Sequence, residues 1–141
     1  MNTERVEVKL AERQSELPAD IGSEDCIRLL AYEAAALHFP GMGEALAESA
    51  LERELAEPTY LGRGLAVPHA RVKGLPAAMV YVAHSAGVPW PDEPAECVAL
   101  LCVPAEQPEL HLQLLGKVVR WRMNVLPQKK QSPKSGCLKI A

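Results

Sequence analysis

Apolar and polar positions change period several times along this chain, and each change marks an element. From Val6 to Leu10 apolar and charged residues alternate, the pattern of a short half-buried strand. Ser15 to Ser23 is polar, contains Pro18 and Gly22, and reads as a loop. Cys26, Leu29, Leu30 and Leu37 then recur at helical spacing. Ser23 is placed as the N-cap of this helix, with Glu24 and Asp25 in the first turn, where carboxylates meet the positive end of the helix dipole. Pro40-Gly41 ends it. A second helix is expected from about Met42 to Glu54 or Leu55, stopped by Glu57-Pro58.

Beyond it the apolar runs become short and continuous. Leu65 to Val67 is expected as a strand, with Pro68 holding Val67 extended. Arg71 to Pro76 reads as a turn. Ala77 to Ala83 is nearly all apolar and reads as a buried strand. Gly87 to Pro94 carries Pro89, Pro91 and Pro94 and is expected to be a loop, with Asp92 and Glu93 as turn residues and Trp90 packing as its anchor. Cys97 to Val103 is another apolar strand, and Pro104 to Pro108 a turn. Leu110 to about Arg122 is expected as a helix with His111, Leu114, Leu115 and Val118 inward. No internal repeat is visible. Continuous apolar strands alternating with helices predict an α/β fold, a mixed and mostly parallel sheet covered by helices on both faces.

Composition fits one globular domain. Of 141 residues, 48% are hydrophobic and 23% charged, enough apolar material for a core. The net charge of −3 conceals an asymmetry. Residues 1–116 hold 8 Lys/Arg and all 18 Asp/Glu, while residues 117–141 hold 7 Lys/Arg and no acid. An acidic body with 4% aromatic residues and no stacking motif argues against nucleic-acid binding. Residues 123–141 are expected to be a flexible basic tail, since Gln128 to Ser135 is polar, proline-containing and aperiodic. Cys26, Cys97, Cys102 and Cys137 have no metal-ligand spacing and read as reduced thiols of a cytoplasmic protein. Cys97 and Cys102 are expected on opposite faces of one strand. Met1 to Lys9 is charged, without the apolar core of a signal peptide, and no apolar run approaches membrane-spanning length, so direct membrane insertion is not expected.

Chemistry concentrates around Thr59 to Arg71. His69 follows a proline-fixed backbone at a strand end, beside Gly62 and Gly64, which can take positive φ and allow close approach of a backbone or an anion. Arg53 shares a helix face with Met42, Leu46 and Ser49 near the helix end. There it needs an anionic partner, an exit to solvent, or the last carbonyls of its own helix. His111 lies on an apolar helix face, as a packed core histidine or as a site residue. His84 is read as structural, and Arg63 and Arg71 as solvated side chains bracketing the site.

The run Gly62-Arg63-Gly64-Leu65-Ala66-Val67-Pro68-His69 resembles the phosphorylation-site segment of the enzyme IIA domains of the bacterial phosphotransferase system, in the fructose, mannitol and nitrogen-regulatory class. Leu51-Glu52-Arg53-Glu54 and His111-Leu112 are similar to two further motifs of that class. The resemblance covers roughly Ser23 to Arg122 and implies a phosphoryl-relay domain over residues 1–122. It implies that His69 accepts a phosphoryl group, and that Arg53 and His111 hold or tune it. The implied donor is a histidine-phosphorylated carrier protein. The implied acceptor is an enzyme IIB-like domain or a regulatory target. No cofactor and no metal are implied. The other expectation left open is a degenerate regulatory binding module that keeps the fold without phosphotransfer. After the His111 helix the chain departs from the family, whose members continue with further helical sequence.

Overall fold

The structure, a computed structural model, describes residues 8–91 and 93–125. Residues 126–141 of the expected basic tail, Cys137 among them, the residues before Val8, and Asp92 lie outside the described residues, while the first three residues of that tail, 123–125, are helical instead of flexible. The elements are β1 (Val8–Glu12), α1 (Ser23–His38), α2 (Gly43–Ala56), β2 (Tyr60–Gly62), β3 (Leu65–Ala66), β4 (His69–Val72), β5 (Ala78–Trp90), β6 (Glu93–Pro104) and α3 (Leu110–Val125). The strands form one sheet in the order β1-β5-β6-β3-β2, with β4 also paired to β6. β1 on β5, and β3 and β4 on β6, are parallel, while β5/β6 and β2/β3 are antiparallel. The expected mixed, mostly parallel α/β sheet is therefore present.

Helices cover both faces. Ile27 and Leu30 of α1, Leu46 and Ala50 of α2, and Phe39 between them pack on Met79, Leu100 and Trp90. On the other face Leu110, Leu114 and Val118 of α3 pack on Val80, Val82 and Leu101. Each fully buried side chain of this size contributes about 1.5–3 kcal/mol of apolar burial. Cys97 and Cys102 fall on opposite faces as their spacing requires, one under α3 and one under α1 and α2.

Several boundaries differ from the sequence reading. Gly87–Pro94 is not a loop: β5 continues to Trp90 and β6 begins at Glu93, closing a hairpin. The register shifts between His84 and Val88, and beyond that shift Pro89 and Pro94 stand opposite each other near the hairpin end. Trp90 is buried as expected, but within this strand. His69–Val72 is a strand, so Arg71 and Val72 are extended where the sequence predicts a turn over Arg71 to Pro76. Four residues carrying Arg71 on one side are too short and too polar to show a strand period. Gly22, not Ser23, is the N-cap of α1, and no side chain caps it. Leu37 has the correct azimuth but is 56% exposed, because Phe39, just past the helix, takes the core position there. α3 extends three residues beyond Arg122, to Val125.

Candidate functional site

One extended path, Leu65 to Val72, runs along a single edge of β6. Leu65 and Ala66 pair with Cys97 and Val98, and His69 to Val72 pair with Leu101 to Pro104. Between them Pro68 has no N–H to give, so the ladder breaks, while the Pro68 carbonyl still accepts the Leu101 N–H at 2.9 Å. His69 is the first residue after this break. It opens β4 instead of closing the preceding strand, which corrects the expected placement. Alternation sends Ala70 and Val72 into the core and leaves His69 and Arg71 on the other side.

An open cleft of about 380 Å³ lies here, lined by Ser49, Glu52, Arg53, His69, Arg71 and His111. The His69 and His111 rings stand 5.2 Å apart between centroids, tilted by 45°. His111 Nδ1 lies 3.0 Å from the Pro108 carbonyl oxygen. A carbonyl only accepts, so Nδ1 carries the proton and Nε2 keeps a free lone pair in the neutral ring. Arg53 lines the cleft and also donates from Nη1 to the Glu57 carbonyl at 3.0 Å, so it caps its helix end with one arm. Arg71, for which a solvated side chain is expected over one that steers phosphate or an acidic partner, lines the same cleft.

His69 is half-buried. Its Nδ1 is shut from solvent and has no hydrogen-bond partner. Burial is the main force holding the His69 pKa below the ordinary value, and the charge of His111 acts the same way. Arg53 adds a smaller push, while the backbone carbonyls of Pro68 and Val67 oppose the shift. Those carbonyls favour the charged ring without meeting hydrogen-bond geometry at Nδ1. The outcome is a neutral imidazole at pH 7 beside two guanidinium groups, an arrangement suited to receiving a dianionic group.

The glycines of the motif do other work. Gly62, Arg63 and Gly64 all take positive φ, at 98°, 53° and 78°. They form the turn between β2 and β3, four rungs along β6 from His69, roughly 13 Å at strand rise. Gly64 admits the buried Arg122, whose Nη2 donates to the Arg63 carbonyl at 3.2 Å and lies 3.8 Å from Glu96 Oε1. Close approach is thus to a side chain of α3 and not to an anion at the cleft. Arg63 is remote from His69 for the same reason. His84 pairs with Glu12 at 2.7 Å, tying β5 to β1, in keeping with a structural reading.

The roles of two residues escaped the sequence reading. Glu54, next to Arg53, accepts hydrogen bonds from Trp90 Nε1 at 2.7 Å and from the Thr59 N–H and hydroxyl at 2.9 and 2.7 Å. Ser49 bonds the backbone of Arg71 across 22 positions of sequence. Only its helical phase with Arg53 hinted at it.

The model of the family described as phosphoenolpyruvate-dependent sugar phosphotransferase system, EIIA 2, matches residues 11–129. A fructose-specific EIIA component of the phosphotransferase system from Haloferax volcanii is 34% identical over 85 residues, 57% of this chain and 55% of that protein. The chain thus matches little more than half of that relative's length. Among solved structures, the nitrogen regulatory protein IIA-Ntr of Neisseria meningitidis superposes with a TM-score of 0.69 at 19% identity, covering 91% of this chain and 86% of that one. The mannitol IIA of Escherichia coli gives 0.65 at 22% identity, covering 90% and 89%. A complex of that organism's mannitol enzymes IIA and phosphorylated IIB gives 0.58 at 20% identity, covering 77% of this chain and 81% of that one. These likenesses show a shared fold.

Proposed function

The chain belongs to the EIIA 2 family of the phosphoenolpyruvate-dependent sugar phosphotransferase system, and from that membership we propose that it relays a phosphoryl group through His69. The observation that carries this reading is the meeting of His69, His111 and Arg53 at one open cleft. His69 Nδ1 is buried, so Nε2 is the nitrogen that attacks. The P–N bond to a histidine of a phosphorylated carrier protein breaks as the P–Nε2 bond forms, and the donor nitrogen keeps the electron pair. Arg53 and Arg71 offset the charge on the equatorial oxygens, and His111, whose Nδ1 proton is given to the Pro108 carbonyl, donates to them through Nε2 only when its ring carries both protons. The second transfer goes to a thiol or histidine of an IIB-like domain, the kind of partner bound by the mannitol IIA of Escherichia coli, or the phosphate stays as a regulatory mark. We place the reaction in the cytoplasm.

Incubation with a histidine-phosphorylated carrier protein, followed by mass-spectrometric mapping of acid-labile phosphate, tests the proposal. Wild type takes one phosphoryl group on His69 and His69→Ala takes none. Equal incorporation in both proteins removes His69 as acceptor. No incorporation in wild type leaves a binding module that keeps the fold alone.

A further inference from the structure

We propose that Ser49 is a positioning residue of this cleft: its hydroxyl locks the helix that carries Arg53 to the strand that carries His69. The inference rests on the relay reading above. β4 is bonded to β6 along one edge only. Its other edge faces α2, and there Ser49 acts as a one-residue strand. Its Oγ accepts the Arg71 N–H at 2.8 Å and donates to the Arg71 carbonyl at 3.1 Å. A hydroxyl can do both at once, because it has one proton to give and lone pairs to receive.

The position of this clamp gives it a role beyond holding the edge. Ser49 sits one helical turn before Arg53, so the two share a face of α2. Arg71 sits two residues after His69, so the two share a side of β4. The remaining packing between α2 and β4 is apolar, with Leu46, Ala47 and Ala50 in the same core as Ala70 and Val72. Apolar contacts set how closely the two elements approach but are not directional. Among the described residues no other hydrogen bond joins α2 to β4. The Ser49 pair therefore fixes the register of the Arg53 guanidinium relative to the His69 ring.

Misplacing a charge-stabilising group by about 1 Å is enough to cost a factor on the order of a hundred in rate, and a partial slide costs less. Ser49→Ala is expected to slow single-turnover transfer from the phosphorylated carrier by about tenfold, with the half-saturating carrier concentration unchanged. Ser49→Thr keeps the hydroxyl and restores the rate. Because Ser49 acts through Arg53, adding Ser49→Ala to Arg53→Ala slows transfer no further. An NMR titration of the His69 ring gives a second readout. In Ser49→Ala the displaced Arg53 depresses the His69 pKa less than in wild type, and in Ser49→Thr the depression returns. Wild-type rates in Ser49→Ala, or rate losses that multiply with those of Arg53→Ala, overturn the proposal. If wild type accepts no phosphoryl group, the relay reading falls by itself. The positioning claim is then decided by the titration, and an unchanged His69 titration in Ser49→Ala overturns it.

Discussion

The His69 and His111 rings face each other at 5.2 Å, and His111 is oriented by the Pro108 carbonyl that holds its Nδ1 proton. A second proton on either ring therefore repels a proton on the other. This relationship, added to burial, keeps His69 neutral at pH values where an exposed histidine is charged.

A pH dependence follows, with a definite sign. Nucleophilic attack needs neutral His69, so the acid limb of the transfer rate lies below the ordinary histidine value of about 6.5. Stability changes in the same window. As pH falls through that value the unfolded chain takes up a proton before the folded site does, so the folded state loses stability between there and the lowered folded pKa. Above the ordinary value this contribution is fully present. His111→Ala raises the His69 pKa only part of the way back, since burial is the larger cause. An NMR titration showing His69 at or above the ordinary value in wild type would contradict this account.

Glu54, the residue after Arg53, ties the end of α2 to Trp90 and Thr59. Its carboxylate serves three donors on Trp90 and Thr59, both buried. Glu54→Ala leaves them without a partner and is expected to cost about 2–4 kcal/mol in urea unfolding. Glu54→Gln is expected to cost under about 1 kcal/mol. Its one oxygen can serve the Trp90 and Thr59 N–H groups, and its amide can donate to the Thr59 hydroxyl, which rotates to accept. Equal losses in the two variants would mean that the charge, and not the hydrogen-bond pattern, is what matters.

Legibility in the sequence divided along physical lines. The long elements were visible because helix and buried-strand periods persist over many residues, as in α1 and in the Cys97–Val103 part of β6. Context made His69, Arg53 and His111 candidates, each a polar residue on a constrained or apolar background, while the family resemblance gave them their roles, and the structure brings all three to one cleft. β4 was hidden by its length, and the end of the β5/β6 hairpin by its prolines. The glycine turn was legible as positive-φ backbone, but what it approaches, Arg122, lies 58 positions away from Gly64. Ser49 and Glu54 act on partners 22 and 36 positions distant, and no local pattern encodes such a pairing.

The buried thiols make a separate prediction. Burial pushes Cys26, Cys97 and Cys102 up to about 12. At pH 8 only about one thiol in ten thousand is then ionised, and the thiolate is the reactive form. In a Cys137→Ser background, which leaves these three, a thiol-specific reagent should label the native protein only as fast as the chain opens. Labelling should become immediate in denaturant. Fast stoichiometric labelling in native buffer would show that one of the thiols is accessible.

The turn carrying Gly62, Arg63 and Gly64 separates backbone strain from side-chain crowding. A non-glycine residue in the left-handed region costs roughly 1–2 kcal/mol. Gly62→Ala meets nothing within 4 Å, so strain is its whole penalty. Gly64→Ala incurs the same strain, and its new Cβ stands 3.2 Å from Arg122 Nη2 and 3.3 Å from Glu96 Oε1. Arg122 is buried and donates to the Arg63 carbonyl, so it cannot retreat without loosening that bond. Gly64→Ala should therefore be the more destabilising of the two. Arg63 already holds a left-handed φ of 53° as a non-glycine residue. Arg63→Gly relieves that strain while losing about 0.5–1 kcal/mol to the freer unfolded chain, and so should not lower stability. Urea unfolding of the three variants checks the order. If Gly62→Ala proves as costly as Gly64→Ala, Arg122 yields freely and its hold on the turn is weaker than its burial implies.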